Sequence, residues 1–251
     1  EVPGHAARHL QAIAGGDNND PSSAGKSFYF APKFARALKD VVVGFAPVDF
    51  AEWADPAARP ALQAAFEQIK QLGVQLREVE IPEFPYGALT GTIIAAEAAS
   101  VFEELIASGR VNDLEDQKQI AGLKAGYDIP ARDYLRAMRV RSLVKQGFRD
   151  LFAQVDVLVT PARLGIAPKI SDPLDRALAP RALPAKRGLS GLIPAGNLAG
   201  LPALSLPCGF AEGMPIGISL VARPFNEGML LNVGREFQSR TDWHKQRPKV
   251  G

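Results

Sequence analysis

Few side chains in this sequence could begin a chemical step. Its three histidines are His5, His9 and His244, and its one cysteine is Cys208. Hydrolysis by a Ser–His–Asp arrangement needs a histidine within hydrogen-bond reach of a serine. His5 and His9 stand four residues apart on a predicted helix, a spacing a metal can use. No Cys, Asp or Glu cluster nearby completes that site, so they read as surface histidines. Cys208 sits in LPCGF at the end of a predicted strand. A thiol nucleophile needs a base and an electropositive setting; a small buried cysteine is the better reading. Gly25-Lys26-Ser27 has the ending of a phosphate-binding loop, but the glycine required five positions earlier is Asp20.

Three other places carry polar groups in apolar company. Glu97 interrupts IIAAEAAS, where an unpaired charge is costly. It either lines a polar cleft or is paired in the core with an arginine, and pairing is favoured. Arg139 and Arg141 lie on the strongest predicted helix, and Arg141 falls near its buried stripe, three residues after Met138. An inward arginine can hold a substrate carboxylate with two parallel bonds, or it can salt-bridge a facing helix. In Asn197 to Gly209, Asn197, Gly200, Pro202 and Pro207 punctuate a loop leading into a buried strand. That loop either walls a ligand cleft, as strand ends in α/β folds often do, or simply holds the strand.

The elements that must position these groups follow from periodicity. Val41 to Ala46 (VVVGFA) predicts a buried strand. Pro60 to Leu72 predicts a helix with Leu62, Phe66, Ile69 and Leu72 on one face, Pro60 in its first turn and Gly73 at its stop. Val74 to Ile81 returns as a strand, so this is a βαβ unit with parallel strands. Helices are expected over His5 to Ala14, Tyr86 to Ser108 and Arg132 to Gln154. The last has a stripe of Leu135, Met138, Ser142, Val144, Phe148 and Phe152. Residues 112 to 128 read as a polar excursion, and Arg163 to Arg187 as a long Pro-rich surface loop. Strands are expected at Val155 to Thr160, Ala203 to Leu206 and Ile216 to Ala222, and Asn226 caps a last helix to about Arg240. The fold class is α/β, a mixed β-sheet flanked by helices.

Composition narrows the function classes. With 29 Lys and Arg against 27 Asp and Glu, the net charge is only +2, so neither nucleic acid nor an acidic membrane is called for. A lone cysteine forms no internal disulfide and fits a cytoplasmic location. No apolar run reaches the length of a membrane span.

The segments GNLAGLPALSLPCGF and GMPIGISLVARPFNEGMLL, in that order and spacing, resemble the amidase-signature family. So do HLQAIAGGDNNDPSS near the start, DVLVTPA at Asp156 to Ala162, and the TDWHKQRP tail. The resemblance implies an amidase-signature fold and amide (C–N) bond hydrolysis through an acyl-enzyme formed by a Ser–Ser–Lys triad. The Gly/Ser-rich tract that carries the family's serines has no counterpart here, and no early lysine matches. Residue 1 is Glu, and the only methionines are Met138, Met214 and Met229. Residues 1–251 are therefore expected to be the C-terminal portion of a single amidase-signature domain, inactive alone, with its N-terminal half as the missing partner. No catalytic residue is carried over, and no metal or cofactor is implied. Arg141 and Asn197 are the expected substrate-binding residues for a small-molecule amide. A homodimer is left open. The family also includes the transamidating subunit that makes glutaminyl-tRNA or asparaginyl-tRNA. That subunit usually shows an Arg-Phe-Asp-Gly segment where this sequence reads VFEELIASGR, and an acidic residue where it reads GLSGLIPAG. Both departures favour a free-standing hydrolase. The alternatives are the amidotransferase subunit, or a non-catalytic binding fragment.

Overall fold

The computed structural model describes residues 2–20, 22–171, 188, 189 and 191–246. The chain divides into two compact units. The first comprises Glu1–Glu80, Phe152–Ser190 and Leu201–Gly251, and the second Ile81–Leu151 and Gly191–Gly200.

The first unit is built on the expected βαβ element. Strand β1 (Val42–Phe45) pairs in parallel with β2 (Gln75–Glu78), Val42 opposite Gln75. Between them run a short helix α2 (Pro47–Ala51) and α3 (Arg59–Gln71). Leu62, Ala65, Phe66 and Ile69 make the buried stripe of α3, the spacing that turns one helical face to a sheet. Pro60 occupies its first turn, and Gly73 follows its end at φ 79°. The Phe66 ring packs 4.7 Å from Phe45 and 4.8 Å from Phe50. Strand β3 (Val157–Pro161), buried along its whole length, adds to β1 in parallel.

The sheet becomes mixed at its other side. Strands β4 (Ala203–Ala211) and β5 (Met214–Ala222) form an antiparallel hairpin, and β5 pairs antiparallel with β3, giving the order β2-β1-β3-β5-β4. Both strands are longer than their sequence signal. Glu212 and Gly213 turn the hairpin with φ of 51° and 77°, the positive values a tight hairpin needs. A register shift between Pro207 and Gly209 places Cys208 in a bulge. Pro207 is tolerated because β4 is an edge strand. Helix α9 (Glu227–Ser239) covers β4 and β5 on the face that also meets α3, closing a core of Val43, Leu62, Ile69, Val159, Leu206, Ile218, Val233 and Phe237. Asn226 precedes α9 but its side chain makes no capping bond. Helix α1 (Val2–Ile13) packs on α9.

The second unit is helical. The apolar run from Tyr86 breaks at Phe102 into α4 (Tyr86–Val101) and α5 (Glu103–Ala107), and Gly109 ends it at φ 79°. The expected polar excursion is instead ordered. A 3-10 turn (Arg110–Asp113) leads to α6 (Gln117–Gly126), capped by Asp116, which accepts from the amides of Lys118 (2.8 Å) and Gln119 (3.2 Å). Gly126 lets α6 approach α4, because a Cβ there would lie 2.5 Å from the Ala95 carbonyl oxygen. Helix α7 (Ala131–Phe152) is the long helix expected, but its stripe is rotated. Ala137, Val144, Phe148 and Leu151 are buried, whereas Leu135 is 52% exposed and Ser142 is also exposed. At 100° per residue Leu135 and Ser142 fall nearly opposite Ala137, so they cannot share its face. Residues 163–171 form no helix or strand, and the rest of the expected loop, 172–187, lies outside the described residues.

Candidate functional site

The expected turn at Asn197 is a helix. Residues Leu192–Ala199 form α8, which ends at Gly200 in a left-handed conformation (φ 71°), with the Gly200 amide donating to the Gly196 carbonyl at 2.8 Å. Asn197 is thus exposed on the last turn of a short helix, not in a loop feeding a strand. Its side chain makes no hydrogen bond to a described residue.

Arg141 reaches this same helix end. Its Nε donates to the Leu198 carbonyl oxygen at 2.8 Å. Leu198 lies in the last turn of α8, where carbonyls lack an intrahelical partner. A cation there also meets the negative end of the helix dipole. In place of the alternative salt bridge to a facing helix, Arg141 bonds to helix backbone. One of the five guanidinium N–H groups is used in this way. The terminal nitrogens of half-buried Arg141 bond to no described residue, so the flat fork that recognises carboxylates and carbonyls is left available. The structure thus brings the two expected residues to one place: Arg141 holds the carbonyl of the residue next to Asn197.

The other candidates separate. Glu97 is exposed, and it accepts from the Tyr134 hydroxyl at 3.2 Å instead of being buried beside an arginine. His5 and His9 are exposed on α1, the His9 ring contacting the His5 carbonyl at 2.8 Å. No group of three His, Cys, Asp or Glu among the described residues could hold a metal ion. Cys208 is fully buried, and burial pushes its thiol up to about 12. A thiol that resists ionisation at neutral pH is not a nucleophile. No helix among the described residues is long and apolar enough to cross a membrane.

One group went unnoticed in the sequence. Asp49, on α2, is 1% exposed, and both its carboxylate oxygens accept from the Leu189 amide, at 3.1 and 2.9 Å. Its only sequence signal is an acid between Val48 and Phe50 in an apolar stretch.

The family model for amidases matches residues 5–231. The chain belongs to the amidase (amidase-signature) family. Among curated relatives, it is 36% identical to the glutamyl-tRNA(Gln) amidotransferase A-subunit of Gloeobacter violaceus, covering 98% of this chain and 54% of the relative. It is 34% identical to the protein of that name in a Synechococcus strain, covering 96% of this chain and 51% of the relative. Among solved structures, it is similar to one from a vestigial protein complex described as revealing the evolutionary origins of an s-triazine catabolic enzyme. That match has a TM-score of 0.76 and 27% identity, over 96% of this chain and 52% of the other. The chain therefore spans about half the length of the relatives it matches. The mixed five-stranded sheet flanked by helices is the α/β fold that the resemblance implied.

Proposed function

We propose that residues 1–251 are the C-terminal portion of an amide (C–N) bond hydrolase, in which a Ser–Ser–Lys triad outside these residues forms the acyl-enzyme. A lysine acting through a bridging serine would take the proton from a nucleophilic serine, which attacks the amide carbonyl. Backbone N–H groups would hold the oxyanion. The C–N bond then breaks, the amine leaves protonated, and water hydrolyses the acyl ester. On this reading these residues supply pocket wall. The observation that carries the assignment of Arg141 is its geometry: Nε is bonded to Leu198, while the terminal nitrogens have no described partner. Those nitrogens would grip a carbonyl or carboxylate of a small-molecule amide, and the exposed Asn197 amide beside it would add a donor and an acceptor.

A second reading has its own support, because the curated relatives above carry the name of a glutamyl-tRNA(Gln) amidotransferase component. One assay separates the two. Ammonia release by the full-length protein would be followed with propionamide, benzamide and L-glutamine, with and without tRNA and candidate partner subunits. The hydrolase reading expects turnover of simple amides by the protein alone. Turnover of glutamine only, and only with partners, would replace it with the amidotransferase reading. No ammonia under any condition would overturn both.

A further inference from the structure

Where α4 gives way to α5, the helical unit turns apolar side chains outward. Val101 is 76% exposed and Phe102 is 46% exposed. The Tyr127 hydroxyl donates to the Glu103 carbonyl at 3.4 Å, which brings a second exposed ring to the same place. Glu103 and Glu104 follow directly. Both are exposed, and neither carboxylate meets a cation among the described residues. An apolar centre with a charged rim is the make-up of a protein–protein contact, and an aromatic side chain is a common anchor there.

The outer side of α7 carries the opposite charge. Leu135, Arg139 and Leu143 follow one another at intervals of four and form one exposed row. Arg132 and Arg136 flank that row, also exposed. Arg136 and Arg139 bond to no described residue, and Arg132 only approaches Asp133, at 3.9 Å. Further along α7 the arginines are engaged, Arg141 with the Leu198 carbonyl and Arg149 with Gln146. Like charges three and four residues apart repel on a helix surface, so Arg132, Arg136 and Arg139 oppose one another until an acidic surface meets them.

The two patches are neighbours within this unit. Tyr134, beside Leu135, donates to Glu97 at 3.2 Å, and Glu97 lies one turn before Val101 on α4. We propose that the helical unit pairs with a second copy of itself about a two-fold axis. The Val101–Phe102 knuckle of each copy, with Glu103 and Glu104, sits on the Leu135–Leu143 row and the arginines of the other. A two-fold contact uses each surface twice, so both patches are covered on both copies. The apolar side chains drive the association, and the charges fix its register and exclude wrong partners.

This inference stands apart from the amide chemistry, and the residues it uses lie outside the proposed pocket. The full-length protein would be followed by sedimentation velocity over a dilution series at low and at high salt. Wild type should dimerise, and less tightly at high salt, because exposed charges are screened. Glu103→Lys with Glu104→Lys, and separately Arg136→Glu with Arg139→Glu, should each weaken the dimer by about a hundredfold or more, because like charges then face one another. An equimolar mixture of the two doubly substituted proteins should recover the dimer, since every contact again joins opposite charges. All of these residues are exposed, so reversing them leaves the core intact. A wild type that stays monomeric would overturn the dimer and leave this face to the rest of the polypeptide. A dimer that salt does not weaken, or that survives either reversal, would overturn it too, as would two monomeric variants that do not pair on mixing.

Discussion

Arg141 offers two separable interactions, so two substitutions can tell what it does. The Nε–Leu198 bond joins a cation to an otherwise unpaired carbonyl at the end of α8. Such a charge-assisted bond contributes about 1.5–3 kcal/mol when buried. Half-exposure lowers this, so Arg141→Ala should destabilise by about 1–2 kcal/mol. In a chain of this size that corresponds to a melting shift of about 2–8 °C, read by near-UV circular dichroism on residues 1–251. The terminal nitrogens are the second interaction. If they hold substrate, losing them should lower kcat/KM of the full-length protein by about 30–150-fold, the equivalent of about 2–3 kcal/mol. Arg141→Lys keeps a cation near the helix end but not the planar fork. It should recover most of the stability and little of kcat/KM. If Arg141→Ala loses stability while kcat/KM is unchanged, Arg141 only clamps α8 and its pocket role is wrong. If neither changes, the bond to Leu198 carries no energy and the reasoning fails at its first step.

Three further substitutions test packing. Gly126→Ala would push a methyl to within 2.5 Å of the Ala95 carbonyl oxygen and 2.8 Å of Ala99 Cβ. It should cost about 1–3 kcal/mol in urea unfolding. Gly122→Ala, on the same helix with nothing within 4 Å, should be neutral or stabilise by up to about 1 kcal/mol. Equal effects from the two would refute the close approach of α6 to α4. Gln238 is 5% exposed, and neither its amide nitrogen nor its amide oxygen has a partner among the described residues. Gln238→Met should therefore raise stability by about 1–2 kcal/mol, and a lowered melting temperature would contradict that reading.

The parts legible in the sequence are those whose cause is local. The βαβ element is readable because α3 repeats its apolar residues at helical spacing between a proline start and a glycine stop. Helix α8 is not. Its eight residues, LIPAGNLA, include Pro194 and Gly196, two of the poorest helix formers. It is held in part by a bond from Arg141, 57 residues away in sequence. Helix α6 is readable in principle from Asp116, whose capping bonds are local, but its polar composition conceals it. Asp49 gives least warning, since its partner Leu189 lies 140 residues further on.

The misses at α8 and Asp49 share a physical origin. Arg141, Asp49 and Asp156 each direct a charged group at the backbone of a distant segment. Asp156 accepts from the Val42 amide at 2.8 Å while paired with Arg36, so it ties β1 to the start of β3. Asp49 meets the Leu189 amide and Arg141 the Leu198 carbonyl. Local propensity is weakest where such bonds are needed, because a segment that folded well alone would already satisfy its own backbone groups. A charged residue inside an apolar stretch, read alone, therefore suggests catalysis more often than it should. The discriminating feature is what remains after the backbone bond is made. Asp49 is buried, and among the described residues its carboxylate is spent on the Leu189 amide. Arg141 keeps terminal nitrogens that bond to no described residue, beside an exposed asparagine, and this is what the proposed pocket role rests on.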